Sequence, residues 1–313
     1  MTVVVADCDA HAASRGSGTE FIVAPCATDD AYLPWLTSLL DERDIGLAVS
    51  VNDHELSVWA HSRELDRFGR RVLRLRPETQ SLVEDKLAMA LALPDFGITS
   101  PRTWLASEML INPPAMADGS RLLVKNRYGS GSAGVKETTT GEWAAAVADS
   151  TSAARNRRGE VVHGQSALDS LVVQEFVSGV EFGLDVVCDL KGEFASVLAR
   201  EKHSMRHGET DQATTVEAAE FEPLARAIAL AVPHAGLIDV DVLVDDDGCP
   251  WVIDVNPRFG GGYPFSHQAG ADAPAAYLAW LTGRHVEPEW LSSQPGVRGA
   301  KFVSTAVVSS GWQ

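Results

Sequence analysis

The sequence has 313 residues, of which 45% are hydrophobic, and carries a formal net charge of −17 with a pI near 4.9. Such a chain can bury a large core in two or three subdomains, and its acidity disfavours a surface that follows nucleic-acid phosphates. It has no membrane-spanning apolar run, no secretory signal and no C-x-x-C pair among its four cysteines, so we expect a cytoplasmic protein with reduced core thiols and neither nucleic-acid nor membrane partners.

The first eighty residues alternate short apolar runs with helix-like stretches. Strands are predicted at TVVVAD, FIVAP, GLAVSV and RVLRL, and helices at DDAYLPWLTSLLDERD and DHELSVWAHSRELDRFG. This alternation is typical of a parallel α/β domain. The chain begins inside its first strand, so we expect the strand, glycine-rich turn and helix that usually open such a domain to be missing.

A helix is predicted next, over SLVEDKLAMALAL, and a short strand at RTWLA. Ser81 and Glu84 have the spacing of a capping box at the start of this helix. The segment PDFGITSP between helix and strand is rich in breakers, which indicates that the chain leaves its first domain here.

The segment KNRYGSGSAGVKE contains G-x-G-x-x-G from Gly129 to Gly134, a pattern that a plain glycine turn also satisfies. A dinucleotide loop would pass directly into a helix, whereas VKETTT is extended and the next predicted helix, GEWAAAVAD, follows it with Thr139 and Glu142 as its cap. No Gly-Lys-Ser/Thr follows, which excludes a Walker A loop. The segment therefore predicts a β-hairpin whose glycine tip can fold over phosphates, with Lys125 in the strand that leads into this tip.

Positive charge is concentrated at the end of the predicted strand in ASVLAREKHSMRHGE. The residues are Arg200, Lys202, Arg206, His203 and His207. Surface salt bridges and an anion-binding wall both explain such a cluster in an acidic protein, and the sequence leaves the two interpretations open.

The segment GLIDVDVLVDDDGCPWVIDVNPRFGGG, residues 236–262, predicts a β-hairpin with a turn at Asp-Asp-Gly. Regular alternation places one apolar row on each arm, namely Val240, Val242 and Val244, and Trp251, Ile253 and Val255. Asp241 on one arm, and Asp254 and Asn256 on the other, then share the opposite face. Two carboxylates and an amide oxygen suit Mg²⁺ that carries a nucleotide, and Arg258 can direct a guanidinium at a phosphate.

In this order and spacing, five segments resemble the ATP-grasp superfamily, and within it the branch similar to the carbamoyl phosphate synthase large subunit and its stand-alone carboxylate-amine ligase relatives. The segments are EDKLAMALAL, LLVKNRYGSGSAGV, VVQEFVSGVEF, LAREKHSMRHGE and WVIDVNPRFGGGYPFSHQAGAD. The resemblance covers nearly the whole chain. It implies a mixed α/β and α+β fold: a parallel α/β domain over residues 1–80, a lid subdomain over 81–160 and a C-terminal subdomain over 161–313, with ATP gripped between the last two.

The resemblance also implies a role for each matching residue. Those that contact the nucleotide would be Lys86 and Lys125 at the phosphates, Gly129, Ser130, Gly131, Ser132 and Gly134 in the lid tip, Glu175, Phe176 and Val177 at adenine, and Glu181 at the ribose. The metal ligands would be Asp241, Asp254 and Asn256, holding Mg²⁺ or alternatively Mn²⁺. The positive wall for the carboxylate and its acyl phosphate would be Arg200, Lys202, Arg206 and Arg258. The family usually has glutamate where this chain has Asp254, and the shorter side chain can change the metal preference.

The activity implied is that of an ATP- and Mg-dependent ligase, which phosphorylates a small, amino-acid-like carboxylate so that an amine can attack it, between two molecules or within one. An ATP-binding regulatory or degenerate subunit without turnover is the alternative, and a phosphotransferase that stops at phosphorylation is a third. The set Lys86, Lys125, Glu181, Asp254, Asn256 and Arg258 favours activity. Many relatives form homodimers through their N-terminal domains, and a homodimer is therefore an open expectation here.

Overall fold

The computed structural model describes residues 2–129, 134–206 and 208–305. The chain divides into two compact units, which we call the N-terminal unit, made of Met1–Leu73 with the segment that starts at Lys301, and the central unit, Arg74–Ala300. The boundary lies at residue 73 rather than at the predicted residue 80, because the helix that contains residue 80 belongs to the central unit. No helix within the described residues combines the length and the apolar character needed to cross a membrane.

The N-terminal unit contains a short parallel sheet and two helices. Their bounds are β1 Val4–Asp7, β2 Glu20–Val23, α1 Tyr32–Glu42 and α2 Asp53–His61. The core of the unit comprises Tyr32, Leu36, Leu40, Leu56, Trp59, Leu65, Phe68 and Val72. The parallel pairing of β1 with β2 agrees with the predicted α/β character of this region.

Two further strands that we predicted in the N-terminal unit do not form. GLAVSV and RVLRL meet only in an isolated parallel bridge between Ala48 and Val72. Val49 and Val51 are exposed, so the first of these runs lacks the buried row of side chains that a strand of this sheet requires. The prediction that all four cysteines lie in the core is also wrong, because Cys8 and Cys26 are exposed.

The predicted single helix over SLVEDKLAMALAL is two helices, α3 Pro77–Glu84 and α4 Lys86–Ala92. Ser81 lies inside α3, so the predicted capping box is wrong. Asp85 separates the helices in an extended conformation, and its carboxylate accepts hydrogen bonds from the N–H groups of Leu87 and Ala88 at 3.1 and 3.2 Å. Asp85 therefore caps α4 and fixes the position of Lys86, the first residue of that helix.

A four-stranded sheet forms the smaller part of the central unit. Its strands are β3 Thr103–Leu105, β4 Arg121–Asn126, β5 Lys136–Thr139 and β6 Leu171–Glu175, in the order β3-β6-β4-β5. Its helices are α5 Ala106–Ile111, α6 Trp143–Ser150 and α7 Gln165–Asp169. Because β6 pairs with both β3 and β4, this sheet continues past the predicted boundary at residue 160 to Glu175.

The hairpin predicted around the glycine-rich segment is present. Arg121 of β4 lies opposite Thr139 of β5, and Val124 opposite Lys136. Ser130, Gly131 and Ser132 lie outside the described residues. The predicted cap of the next helix is wrong, because the side chain of Glu142 makes no capping hydrogen bond and only its N–H donates to the carbonyl of Thr139.

A six-stranded antiparallel sheet forms the larger part of the central unit. Its strands are β7 Val180–Cys188, β8 Phe194–Arg206, β9 Glu209–Thr215, β10 Gly236–Val244, β11 Pro250–Asn256 and β12 Arg298–Ala300, in the order β11-β10-β7-β8-β9-β12. The helices of this region are α8 Glu222–Ala231, α9 Tyr263–Gln268 and α10 Ala273–Thr282. One face of the sheet is apolar and packs on α8 through Leu184, Val186, Val240, Val242, Ala225 and Ile228. The other face carries charged side chains.

The β10–β11 hairpin contains a bulge that the sequence did not reveal. Asp241 lies opposite Asp254, but Val242 lies opposite Val252, which leaves Ile253 as an extra residue in β11. The buried residues of β11 are therefore Val252 and Val255, not the predicted Trp251, Ile253 and Val255. Beyond the bulge the alternation continues, so Asp254 still points away from the apolar face.

The edge strand that we predicted over KFVSTAVV is wrong in its described part. Residues 301–305 form no strand, and residues 306–308 lie outside the described residues. The strand at this edge is β12, which ends at Ala300 and pairs with β9 from Arg298 opposite Thr214 to Ala300 opposite Gln212.

Candidate functional site

The predicted metal ligands lie together on the charged face of the six-stranded sheet. Asp241 of β10 and Asp254 of β11 are directly opposite each other, and Asn256 lies opposite Asp239. Residues opposite each other in an antiparallel pair project to the same side of the sheet, and so do residues two apart on one strand. The four side chains therefore form one polar patch at the β10–β11 edge.

Lys202 connects this patch to the predicted ribose-binding residue. Its ammonium lies 2.5 Å from Asp241 Oδ1 and 2.9 Å from Glu181 Oε1, and its side chain is only 4% exposed. Burial lowers the pKa of Lys202, but the charges of Asp241 and Glu181 outweigh burial and raise it. Burial raises the pKa of Asp241 to about 7, against the opposing effect of Lys202 and with the repulsion of Asp239 and Asp254 added. Lys202 is therefore a buried counter-ion of these two carboxylates. The resemblance implied instead that it belongs to an open wall that binds the substrate anion.

Lys86 reaches the same patch from the start of α4. Its ammonium donates to the carbonyl of Gly129 at 2.6 Å and lies 3.4 Å from Asp254 Oδ1. Arg127 holds the helix start in place, because its guanidinium binds both oxygens of Asp85 at 2.6 and 2.7 Å and its carbonyl accepts from the Lys86 N–H. Lys86 is thus held between the carbonyl of Gly129, where the glycine-rich segment begins, and the carboxylate of Asp254.

Lys125 is more deeply buried than Lys86, the other lysine predicted to contact phosphate. It lies in β4, with 8% of the residue exposed, and its ammonium makes no hydrogen bond or ion pair with another described residue. Burial and the charge of Lys86 lower the pKa of Lys125 to about 8, while the charge of Asp254 opposes the shift. A buried ammonium near a second ammonium is a strong attractor for an anion.

We call Glu175, Phe176 and Val177, which the resemblance places at adenine, the hinge, and two arginines hold it: Arg102, just before β3, and Arg121 of β4. The Arg102 guanidinium binds both carboxylate oxygens of Glu175 at 3.1 Å, and these hydrogen bonds lower the pKa of Glu175. The N–H of Phe176 donates to the carbonyl of Arg121 at 3.2 Å, and the Arg121 guanidinium lies 3.5 Å from the centre of the Phe176 ring. The Glu175 carboxylate and the Phe176 N–H are therefore already engaged. The N–H of Val177 donates to no described backbone carbonyl, so it is the free donor of this hinge.

Arg200, which we predicted to face the substrate, is instead fully buried. Its guanidinium binds Asp185 Oδ2 and Asp239 Oδ1, both at 2.6 Å. Burial lowers its pKa and the two carboxylates raise it, with a net increase. Arg206 is also engaged, at 2.9 Å from Asp211, at the exposed end of β8. Carboxylates of the chain therefore bind both guanidinium groups, of which only that of Arg206 is exposed to solvent.

Arg258 lies at the end of the polar patch. Its guanidinium lies 3.4 Å from Asn256 Oδ1 and 3.3 Å from the carbonyl of Phe259. It is half-buried beside the predicted metal ligand Asn256, and its contact with the substrate stays a prediction. Gly129 and Gly134, at either side of the undescribed tip, have positive φ angles of 107° and 75°, which favour glycine.

Several residues of this site were missed from the sequence. They are Asp85, Arg102, Arg127, Asp185 and Asp239. The alternation in GLIDVDVLV could have identified Asp239, because it lies two residues before Asp241 on the same face. The remaining four act through partners that are distant in sequence, and a single sequence carries no signal for such pairs.

Comparisons with known proteins agree with this fold. Residues 167–302 match the sequence profile of a family described as ATP-grasp in the biosynthetic pathway with Ter operon. No curated protein matches the chain in sequence. Similar solved structures include the biotin carboxylase domain of 2-oxoglutarate carboxylase from Hydrogenobacter thermophilus, with a TM-score of 0.68 and 12% identity over 90% of this chain. This chain spans 64% of the length of that domain.

Two further structures are similar over most of their length. N5-carboxyaminoimidazole synthetase from Staphylococcus aureus has a TM-score of 0.68 and 15% identity, covering 94% of this chain and 73% of its own. L-amino acid ligase from Bacillus licheniformis has a TM-score of 0.64 and 14% identity, covering 93% and 77%. Likeness at these identities shows that the chain has the fold of these enzymes, and over residues 167–302 its sequence also matches an ATP-grasp family.

Proposed function

We propose that this protein is an ATP- and Mg²⁺-dependent ligase, which activates a small, amino-acid-like carboxylate as an acyl phosphate for attack by an amine. The observation that carries this proposal is the connected set of charged residues in the central unit. Lys202 forms ion pairs with Glu181 and Asp241 on the sheet, and Asp254 lies opposite Asp241. Lys86 contacts both Asp254 and the carbonyl of Gly129, where the glycine-rich segment begins. Two of the similar structures are described as complexes with ADP or MgADP, which supports a nucleotide ligand for this fold.

The predicted metal ligands have donor chemistry that fits Mg²⁺. Asp241 and Asp254 supply two carboxylates on one side of the sheet and Asn256 supplies an amide oxygen, all of which are hard donors. Each carboxylate already lies beside an ammonium, of Lys202 or Lys86, which is consistent with a position that attracts positive charge. Within the described residues no cluster of three or more His, Cys, Asp and Glu side chains is arranged for a metal, so phosphate oxygens would complete the coordination. Bound there, Mg²⁺ would neutralise charge on the phosphates.

The chemistry requires no protein nucleophile. An oxygen of the substrate carboxylate attacks the γ-phosphorus, the bond to the β-phosphate oxygen breaks, and ADP leaves. The amine then attacks the acyl carbon, phosphate leaves with the bonding pair, and the nitrogen loses a proton. Lys86, Lys125 and Arg258 would supply positive charge during both steps. Lys86 and Arg258 are already held by partners within the chain, which limits reorganisation as charge develops.

A nucleotide-binding protein without turnover is the second candidate. The observation that favours it is the engagement of Arg200, Lys202 and Arg206 in ion pairs within the chain, which reduces the positive charge available to an anionic substrate. Such a protein would bind Mg·ATP and release no phosphate.

The experiment that separates these candidates is a release assay for ADP and phosphate. Purified protein would be incubated with Mg·ATP and pools of amino acids, with and without hydroxylamine, which traps an acyl phosphate as a hydroxamate. Release that depends on an amino acid, with hydroxamate formed in its presence, would support the ligase. Binding of ATP by calorimetry without release in any pool would favour the binding protein, and a lack of ATP binding would contradict both.

We expect the affinity for ATP to fall as the pH rises through about 8, the pKa of Lys125 in the free protein. Burial and Lys86 depress this pKa, so Lys125 is mostly charged at pH 7 and mostly neutral at pH 9, where its attraction for phosphate is lost. Calorimetric titrations from pH 7 to 9 in buffers of different ionisation enthalpy would show proton uptake on binding at the upper end. Lys125→Arg keeps its charge throughout this range and should flatten the profile. An equal fall of affinity in both proteins would contradict the assignment.

A further inference from the structure

Arg200 lies inside the protein, beneath the segment that connects Arg258 to α9. It is 0% exposed, and it extends across Gly183, its direct partner on β7. A Cβ atom at Gly183 would lie 2.9 Å from the guanidinium, so the absence of a side chain there gives Arg200 its path. The same row of the sheet continues from Gly183 to Asp241 and then to Asp254. Arg200 is therefore adjacent to the predicted metal ligands without facing them.

Two carboxylates from neighbouring strands bind the guanidinium. Asp185 of β7 and Asp239 of β10 lie opposite each other, and each accepts a hydrogen bond from Arg200 at 2.6 Å. Asp239 in turn lies opposite Asn256. The hydroxyl of Ser266, in α9, donates to Asp185 at 3.1 Å. The cluster thus joins three strands of the sheet to the helix that follows the Arg258 segment.

The segment after Arg258 packs directly against this cluster. A Cβ atom at Gly262 would lie 2.1 Å from Arg200 Nε, and one at Gly260 would lie 2.1 Å from the carboxyl carbon of Asp239. Real Cβ atoms do not approach other atoms this closely, so both positions require glycine for steric reasons. The backbone at Gly260 and Gly262 therefore lies in direct contact with the buried ion pair, and Asn256 lies opposite Asp239, one member of that pair.

Resting on the function proposed above, we infer that Arg200 is a positioning residue for Mg·nucleotide. Its side chain touches neither nucleotide nor metal. It holds the segment after Arg258 and the strand pair that carries Asn256 in a fixed position relative to each other. The pairing with Asp239 and the close packing of Gly262 make this position depend on the shape of the guanidinium as well as on its charge.

Calorimetric titration with ADP, in Mg²⁺ and in EDTA, tests this inference. Gly262→Ala places a methyl group against the guanidinium, and Arg200→Lys keeps the charge but removes the planar group. Each should weaken binding of Mg·ADP by about tenfold or more, the usual range for residues that orient metal ligands. Binding of ADP in EDTA should change less than about twofold, because Lys86, Lys125 and the hinge are untouched. Gly16→Ala is the matched control, since a Cβ atom at Gly16 meets nothing within 4 Å.

The double variant Arg200→Lys with Gly262→Ala distinguishes contact from general damage. The shorter lysine leaves room for the added methyl group, so the double variant should bind Mg·ADP no more weakly than Arg200→Lys alone. All affinities would be measured at a temperature where circular dichroism shows each variant folded, and Arg200→Lys serves alone if Gly262→Ala does not fold. Equal weakening with Mg²⁺ and with EDTA, or unchanged Mg²⁺ dependence in folded variants, would overturn the inference. A wild-type protein that binds no ADP would instead overturn the proposed function itself, and the inference with it.

Discussion

Asp254→Ala is expected to remove Mg²⁺-dependent nucleotide binding and turnover while the protein stays folded. Asp254 is directly opposite Asp241, and its carboxylate lies 3.4 Å from the ammonium of Lys86. The substitution removes one of two carboxylates proposed to hold Mg²⁺ and frees Lys86 from its partner. We expect affinity for Mg·ADP to fall by about 100-fold or more, because an ion held by oxygen donors loses both charge and coordination. Nucleotide binding without Mg²⁺ should be affected far less.

The same hairpin offers a control for Asp254→Ala. Asp246 is exposed in the turn between β10 and β11, away from the polar patch. Asp246→Ala removes the same charge from the same hairpin and should leave the affinity for Mg·ADP unchanged. Calorimetric titrations of both variants in Mg²⁺ and in EDTA measure the difference. Mg·ADP affinity within a factor of three of wild type in Asp254→Ala would rule out this carboxylate as a metal ligand.

Asp185→Ala is expected to produce the largest loss of stability among single substitutions in the charged face. Asp185 is 0% exposed and shares the buried Arg200 guanidinium with Asp239. Asp239 still balances the charge of the guanidinium after the substitution, but a buried N–H of Arg200 loses its acceptor, which costs about 1–3 kcal/mol of unfolding free energy. The hydroxyl of Ser266 loses its acceptor as well, which adds to the loss.

Urea unfolding followed by fluorescence of the tryptophans measures this loss. Glu222→Ala is the matched control, because it breaks the exposed ion pair with Arg226 within the first turns of α8. Exposed pairs of this kind contribute below about 0.5 kcal/mol, so this variant should unfold close to wild type. Asp185→Asn keeps the shape of the side chain and should fall between the two. A loss in Asp185→Ala no larger than in Glu222→Ala would show that the buried pair contributes little.

Much of the polar patch could be predicted from alternation in the sequence. The facing of Asp241, Asp254 and Asn256 follows from their positions on two strands joined by a short turn, and the register agrees. The buried row of β11 could not be predicted, because a bulge at Ile253 shifts the alternation by one residue and leaves no mark in the sequence. The face of Asp254 was predicted correctly because the bulge lies before it.

Charge clustering proved a poor guide to exposure. Arg200, Lys202 and Arg206 are close in sequence, yet they are respectively fully buried, nearly buried and exposed. Their environments are set by Asp185, Asp239, Glu181 and Asp211, which come from other parts of the chain. Gly183 and Gly262 make room for the Arg200 guanidinium and Gly260 makes room for the Asp239 carboxylate, but this can be recognised only when the neighbours of each glycine are known. A single sequence does not provide that knowledge.

The extra residue in β11 also bears on how related chains can be recognised. Because Ile253 is not paired, a chain that lacked this residue would keep Val252 opposite Val242 and Asp254 opposite Asp241. One-residue deletions at this position therefore change the length of the hairpin without changing which side chains share a face. A search pattern with a fixed count of residues between the two aspartates would reject such chains, whereas a pattern that permits a gap of one residue before the second aspartate would retain them.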